Sequence, residues 1–199
     1  GAFSSQNGAA TPTLNHFSRD LTAAARENKI DPLIGRAEEL KRIIQILSRR
    51  TKNNAILIGE AGAGKTALAE GLAHEIASER VPPVLRQKRV LALNLGGMLA
   101  GTQYRGEFEQ RMKTITDEIS AAGRNIILFI DEIQNLTQAG ESSGAIGAAN
   151  LLKPALARGD IQAVGACTFE DYFQYISRDA SLERRFQPVL VEEPTPDET

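Results

Sequence analysis

Cysteine is almost missing from this chain: Cys167 stands alone among 199 residues. A single thiol excludes any internal disulfide and fits a reducing compartment. Long apolar runs are missing too, since none approaches the roughly 20 residues that a membrane helix needs. The first residues lack the charged-then-apolar layout of an export signal. Charge of one sign is also scarce: the formal net charge is −2, which leaves no overall cationic field to draw nucleic acid or an anionic membrane surface. These absences predict a cytoplasmic protein with no membrane and no nucleic-acid partner. What is present is ordinary for a globular chain, 42% hydrophobic and 24% charged, and the length suits one well-buried domain.

Residues 1–13, GAFSSQNGAATPT, are small, polar and aperiodic, and predict a flexible tail or linker. Ser18 is placed to cap a helix running to Asn28, which Asp31 and Pro32 then break. Leu40, Ile43, Ile44 and Leu47 recur at helical spacing and predict one apolar face. Arg49, Arg50 and Lys52 follow, cations suited to the negative end of that helix dipole; contact with nucleic acid is the weaker reading. Short apolar runs at 55–58, 90–93, 126–130, 161–166 and 189–191 alternate with helical stretches. Continuous apolarity marks strands covered on both faces, as in a parallel sheet. The alternation therefore predicts an α/β fold, a five-stranded parallel sheet sandwiched between helices. In the helix from Glu107, the side bearing Phe108, Met112, Ile115 and Ile119 is read as core packing.

The run GEAGAGKT at 59–66 fits the phosphate-loop pattern G-x-x-x-x-G-K-[ST] at every fixed position. It lies between the apolar run 55–58 and a helix-forming stretch from Lys65 to about Glu79, the context that a P-loop NTPase requires. Gly59, Gly62 and Gly64 are read as letting backbone N–H groups turn inward around phosphate oxygens, with the helix N-terminus adding positive charge. The variable positions Glu60, Ala61 and Ala63, and Ala67 just after, belong to the same nucleotide-binding segment. Lys65 is expected to reach the β and γ phosphates of ATP, and the Thr66 hydroxyl to coordinate Mg²⁺. The competing reading is a glycine-rich turn that happens to end in Lys-Thr.

Asp131 and Glu132 follow the most apolar run, 66 residues after Lys65. An acidic residue at the carboxyl end of a central strand points into the crevice where α/β sheets bind ligands. Asp131 would hold Mg²⁺, and Glu132 would polarise the water that attacks the γ-phosphate. Without the phosphate loop, the pair would read as a solvated turn or helix cap. Arg184 and Arg185, in LERRF, could neutralise transition-state charge on the γ-phosphate, from a neighbouring subunit if need be. Spacing alone cannot decide between that role and a solvated turn.

Taken in order, GEAGAGKT, GTQYRGEFEQR, ILFIDEIQNL, NLLKPALARGD and ASLERRFQPVLVEEPT resemble the AAA+ ATPase module of Clp-type protein unfoldases, the ClpA, ClpB and ClpC group. The likeness is to their first ATPase ring, it is closest in wording to ClpC, and it spans everything but the N-terminal tail. It implies ATP hydrolysis that drives protein substrates through a hexameric pore, with a protease or adaptor as possible partner. Arg184 and Arg185 match the family's trans-acting arginine pair. Thr168 matches the polar sensor of the γ-phosphate. The segment 31–36, with Leu33 and Ile34, matches the lining of the adenine pocket. Tyr104, with its neighbour Arg105, matches the aromatic pore loop that grips an extended polypeptide; a Tyr packed beneath a loop is the alternative.

Departures from the family pattern fall near the site. Ala61 and Ala63 stand where Pro and Val are common, Gln134 where His is usual, and Cys167 where Thr is. Ser143 and Gly147 replace residues that are often acidic in the second pore loop, which also carries Gly140 and Gly144. The resemblance implies that residues 14–199 are the large subdomain alone, an excised fragment or a naturally short relative. A site lacking the small helical subdomain would be open on one side, with weaker nucleotide affinity and poor hexamer formation. Two competing readings follow: a nucleotide-gated binding or regulatory module with little ATPase activity, and a nucleic-acid-remodelling ATPase. The second would want a basic stripe, and only the stretch from Arg49 to Lys52 offers one.

Overall fold

A computed structural model of the chain describes residues 11–94, 105–122, 125–136 and 145–193. Its centre is a six-stranded sheet: β1 (Ser18–Asp20), β2 (Asn54–Ile58), β3 (Arg89–Leu93), β4 (Ile126–Ile130), β5 (Gln162–Cys167) and β6 (Phe186–Leu190). The spatial order is β1-β3-β4-β5-β2-β6. The pairs from β3 to β6 are all parallel, and β1 joins the edge antiparallel to β3. The five apolar runs read from the sequence are five of these strands. β1 is the addition, a short polar edge.

Side-chain alternation along each strand divides the core in two. Ile126, Leu128 and Ile130 face one layer, packed with Met112, Ile115 and Ile119 of α5 (Arg105–Ala122) and Leu152 and Leu156 of α6 (Ala145–Arg158). Ile127 and Phe129 face the other layer. There α2 (Leu21–Arg26), α3 (Ala37–Leu47) and α4 (Lys65–Ala77) contribute Leu21, Ile43, Ile46, Leu68, Leu72 and Ile76. Helices thus cover both faces, which explains why the central strands read as unbroken apolar runs. Met112, Ile115 and Ile119 form the expected core stripe, while the Phe108 side chain lies outside the described residues. No helix among the described residues is long and apolar enough to cross a membrane.

Three local expectations are corrected. The helix expected from Ser18 begins at Leu21, because residues 18–20 pair with Leu91 to Leu93 instead. Asp20 is the cap, its carboxylate accepting from the Ala23 N–H at 2.9 Å, while the Ser18 hydroxyl donates back to Leu14 O. The end of the supposed tail belongs to the fold: Thr11, at the N-cap of α1 (Pro12–His16), and Leu14 within it are buried, and the Thr13 and Leu14 N–H groups donate to the Glu118 carboxylate at 3.0 and 2.8 Å. Finally, α3 stops at Leu47 with Ser48 as C-cap. Arg49, Arg50 and Lys52 therefore follow the helix instead of ending it, and the Arg49 N–H still donates to Ile46 O at 3.1 Å.

Candidate functional site

β4, β5 and β2 lie side by side mid-sheet, and their carboxyl ends open on one rim. This is where open α/β sheets take ligands. A cleft of 410 Å³ opens there. The turn after β2 contributes Ala61, Gly62, Gly64, Lys65 and Thr66; β4 leads into Asp131, Glu132 and Gln134; and β5 ends in Cys167, followed by Thr168 and Asp171. Residues up to 110 positions apart in sequence are thereby gathered around one space.

The glycines divide the labour differently from the sequence reading. Gly62 and Gly64 adopt φ of +85° and +100°, a region that L side chains resist. Gly59 has another reason to be glycine. Its N–H donates to Cys167 O at 3.1 Å, continuing the β2–β5 ladder, and a Cβ there would fall 2.4 Å from Val191 O. It packs strands together instead of turning an N–H towards phosphate. The Ala63 N–H is also engaged, donating to Glu60 O at 3.1 Å across the loop. Gly64 is the N-cap of α4, so the helix's amino end opens on the cleft. Lys65 Nζ donates to Gly59 O at 2.5 Å and Cys167 O at 3.3 Å, which holds the ammonium at the base of the loop.

Asp131 and Glu132 are both exposed at the mouth of the cleft. Asp131 Oδ1 accepts from the Glu132 N–H at 3.0 Å. Glu132 has φ +52°, a left-handed conformation costing about 1–3 kcal/mol in a non-glycine residue. Strain of this kind is stored where geometry matters, and here it falls on the residue expected to activate water. Thr168 caps the short helix Phe169–Asp171: its hydroxyl donates to Asp171 Oδ2 at 3.1 Å and accepts from the Asp171 N–H at 3.2 Å. Asp171 escaped the sequence reading, although the Thr-x-x-Asp spacing is a capping signature. The buried Cys167 thiol is pushed up to about 12, by burial first; Lys65 opposes this and Asp171 adds to it.

The structure does not bring every expected residue to this cleft. Arg184 and Arg185 line a separate crevice of 400 Å³ with Thr51, Lys52, Ala157 and Ser181. Arg184 Nε donates to Ala180 O at 3.2 Å. The preceding helix, Ala180–Glu183, is capped by Asp179, which also pairs with Lys153. Leu33 packs on α4, where a Cβ on Gly71 would lie 2.9 Å from Leu33 Cδ2, and Ile34 is 83% exposed. Neither lines the cleft, and nor do Glu60, Ala63 or Ala67. Tyr104, the Arg105 side chain, Gly140, Ser143 and Gly144 lie outside the described residues. Gly147, expected in the second pore loop, falls within α6.

Comparison with known proteins identifies the family. The family described as "ATPase family associated with various cellular activities (AAA)" matches residues 55–190. The "Chaperone protein ClpB" of Oceanobacillus iheyensis is 58% identical over 199 residues, covering 100% of this chain and 24% of the relative. The "Negative regulator of genetic competence ClpC/MecB" of Bacillus subtilis is 57% identical over 198 residues, with 100% and 24% covered. Near-equal identities do not separate ClpC from ClpB. The chain spans about a quarter of the length of these relatives. Among solved structures, Hsp104 with ATPyS and FITC casein in a closed state superposes with TM-score 0.84 at 43% identity, over 94% of this chain and 32% of that one. The Saccharomyces cerevisiae Hsp104-ADP complex gives 0.83 at 43%, over 93% and 31%. With the loop, the acidic pair and the sheet order already in place, the match over most of its length makes this chain a member of the AAA family of ATPases, similar in sequence and fold to the Clp and Hsp104 proteins.

Proposed function

We propose that this chain binds Mg²⁺-ATP in the cleft at the ends of β2, β4 and β5, and hydrolyses it as part of a protein-unfolding machine. The carrying observation is the convergence of Lys65, Thr66, Asp131, Glu132 and Thr168 on one cleft, from the ends of three adjacent parallel strands. Lys65 and the amino end of α4 supply positive charge for the phosphates. The Thr66 hydroxyl and Asp131 carboxylate are hard oxygen donors of the kind Mg²⁺ takes. Among the described residues, no cluster of three His, Cys, Asp or Glu side chains could hold a metal alone. A pair of protein oxygens completed by phosphate and water fits this donor set, and the ion would offset charge on the phosphate oxygens. Glu132 orients and deprotonates the attacking water. Thr168 reaches the γ-phosphate by redirecting the hydroxyl proton it now gives to Asp171.

Arg184 and Arg185 then act on a neighbouring subunit's nucleotide, a reading supported by their place in a crevice apart from their own chain's cleft. A solved relative, Hsp104, was captured with casein, which supports a protein substrate gripped by Tyr104 and Arg105 in a hexameric pore, with a protease or adaptor as a further partner. The lone buried thiol suits a cytoplasmic setting.

The test is Mg²⁺-ATP binding and turnover for the wild type, Lys65→Ala and Glu132→Gln. Wild type and Glu132→Gln are expected to bind alike, with turnover in Glu132→Gln reduced by roughly 10²–10⁴. Lys65→Ala should lose binding. Unaltered binding in Lys65→Ala, or full turnover in Glu132→Gln, would remove the assignment.

A further inference from the structure

An arginine rarely sits as deep as Arg36, 8% exposed just before α3. A buried guanidinium must be matched by acceptors. Its Nη2 donates to Ala63 O at 2.5 Å, and its Nη1 lies 3.5 Å from Glu39 Oε1. Arg36 does not line the cleft; it lies behind the phosphate loop, with Nη2 3.6 Å from where a Gly64 Cβ would be.

The bond to Ala63 O has a consequence for Gly64. The 63–64 peptide is trans, so its C=O and N–H point in opposite directions. Holding the Ala63 carbonyl from behind turns the Gly64 N–H the other way, and Gly64 lines the cleft. Gly64, with φ +100° and no Cβ, has no side chain of its own to hold that peptide in place. We propose that Arg36 is a positioning residue for the triphosphate: it fixes the 63–64 peptide plane, and so aims the first N–H of the α4 amino end at phosphate. The same segment rests on α4 through Leu33 against Gly71. The phosphate loop is therefore braced from outside by residues 33–36.

This inference rests on the nucleotide reading above. Its test compares wild type, Arg36→Met, which keeps an apolar stem without donors, and Arg36→Lys, which keeps one charged donor. The readouts are Mg²⁺-ATP affinity, KM and kcat. One hydrogen bond from a charged donor is worth roughly a ten- to hundredfold change in affinity, so Arg36→Met should raise the Kd and KM by that factor. Its kcat at saturating ATP should stay within about threefold, because bound phosphate re-forms the loop. Arg36→Lys should recover most of the loss. A purely structural arginine would give the opposite split: fewer active molecules, hence lower kcat at unchanged KM. That result, or equal affinity in Arg36→Met and wild type, overturns the inference. Should Arg36→Met fail to fold, Arg36→Gln, which keeps a neutral donor, decides: a raised Kd and KM at near-wild-type kcat supports the brace, and an unchanged Kd and KM refutes it. Failure of wild type itself to bind Mg²⁺-ATP would instead sink the nucleotide reading, and this inference with it.

Discussion

Replacing Gly59 with alanine separates two roles that the phosphate-loop pattern treats alike. A Cβ at Gly59 would lie 2.4 Å from Val191 O and 3.3 Å from Ala63 Cβ, the first contact roughly 1 Å inside van der Waals range. The obstacle is backbone and cannot swing aside. Val191 donates its N–H to Ile58 O at 2.8 Å, and its side chain is buried with Val189 in the second core layer. Relief therefore means prising the end of β6 from β2, an overpacking cost of about 3 kcal/mol. In a domain of this size, that lowers Tm by roughly 6–12 °C. Gly62→Ala meets no atom within 4 Å, and only its φ of +85° resists. It should cost about 1 kcal/mol, or roughly 2–4 °C, and act mainly on nucleotide affinity. Thermal unfolding followed by circular dichroism without nucleotide compares the two. If Gly62→Ala melts at or below the temperature of Gly59→Ala, the reasoning about Gly59 is wrong.

The Cys167 thiol, shifted from 9.0 to about 12 by burial, should resist alkylation at pH 8 in the folded protein and react readily once unfolded. Below pH 9 both states keep the proton and the contribution to stability is full; from pH 9 towards 12 the unfolded state loses its proton first, so stability falls as pH rises. Cys167→Ala should flatten that decline, and rapid alkylation of native protein would contradict it. Asp179 is the converse case. Burial would raise its pKa, but the Lys153 ammonium, the Ser181 hydroxyl and the Leu182 N–H together hold it below the ordinary value. Its contribution is present above the unfolded carboxylate's pKa and is lost as pH falls through the folded one. Asp179→Ala should cost about 1–2 kcal/mol at neutral pH as a lost cap, and Asp179→Asn less; equal unfolding midpoints for wild type and Asp179→Ala in urea would refute this.

The strands were legible because a parallel sheet buried on both faces writes itself as apolar runs, Ile126 to Ile130 most clearly. β1 was not, since Ser18, Arg19 and Asp20 are polar and its pairing with β3 is invisible locally. Likewise α1 offers one buried leucine, Leu14, and no periodicity. The cleft residues after β2 and β4 were legible because their motifs fix both residue type and place in the fold; after β5, Thr168 came only from the family resemblance and Asp171 was missed. Leu33, Ile34, Arg184 and Arg185 lie away from that cleft, and spacing along a chain says nothing about which subunit a side chain serves. Arg36 was overlooked as a support for the loop because arginine reads as a surface residue, and only three dimensions reveal the carbonyl it holds.

ATP turnover per molecule, measured against protein concentration beside Glu132→Gln and Arg184→Ala, tests the central claim most directly. The account predicts a specific rate that rises with concentration as neighbours complete one another's sites, and that falls with either substitution. A specific rate that stays flat across concentration and is indifferent to both changes would contradict it.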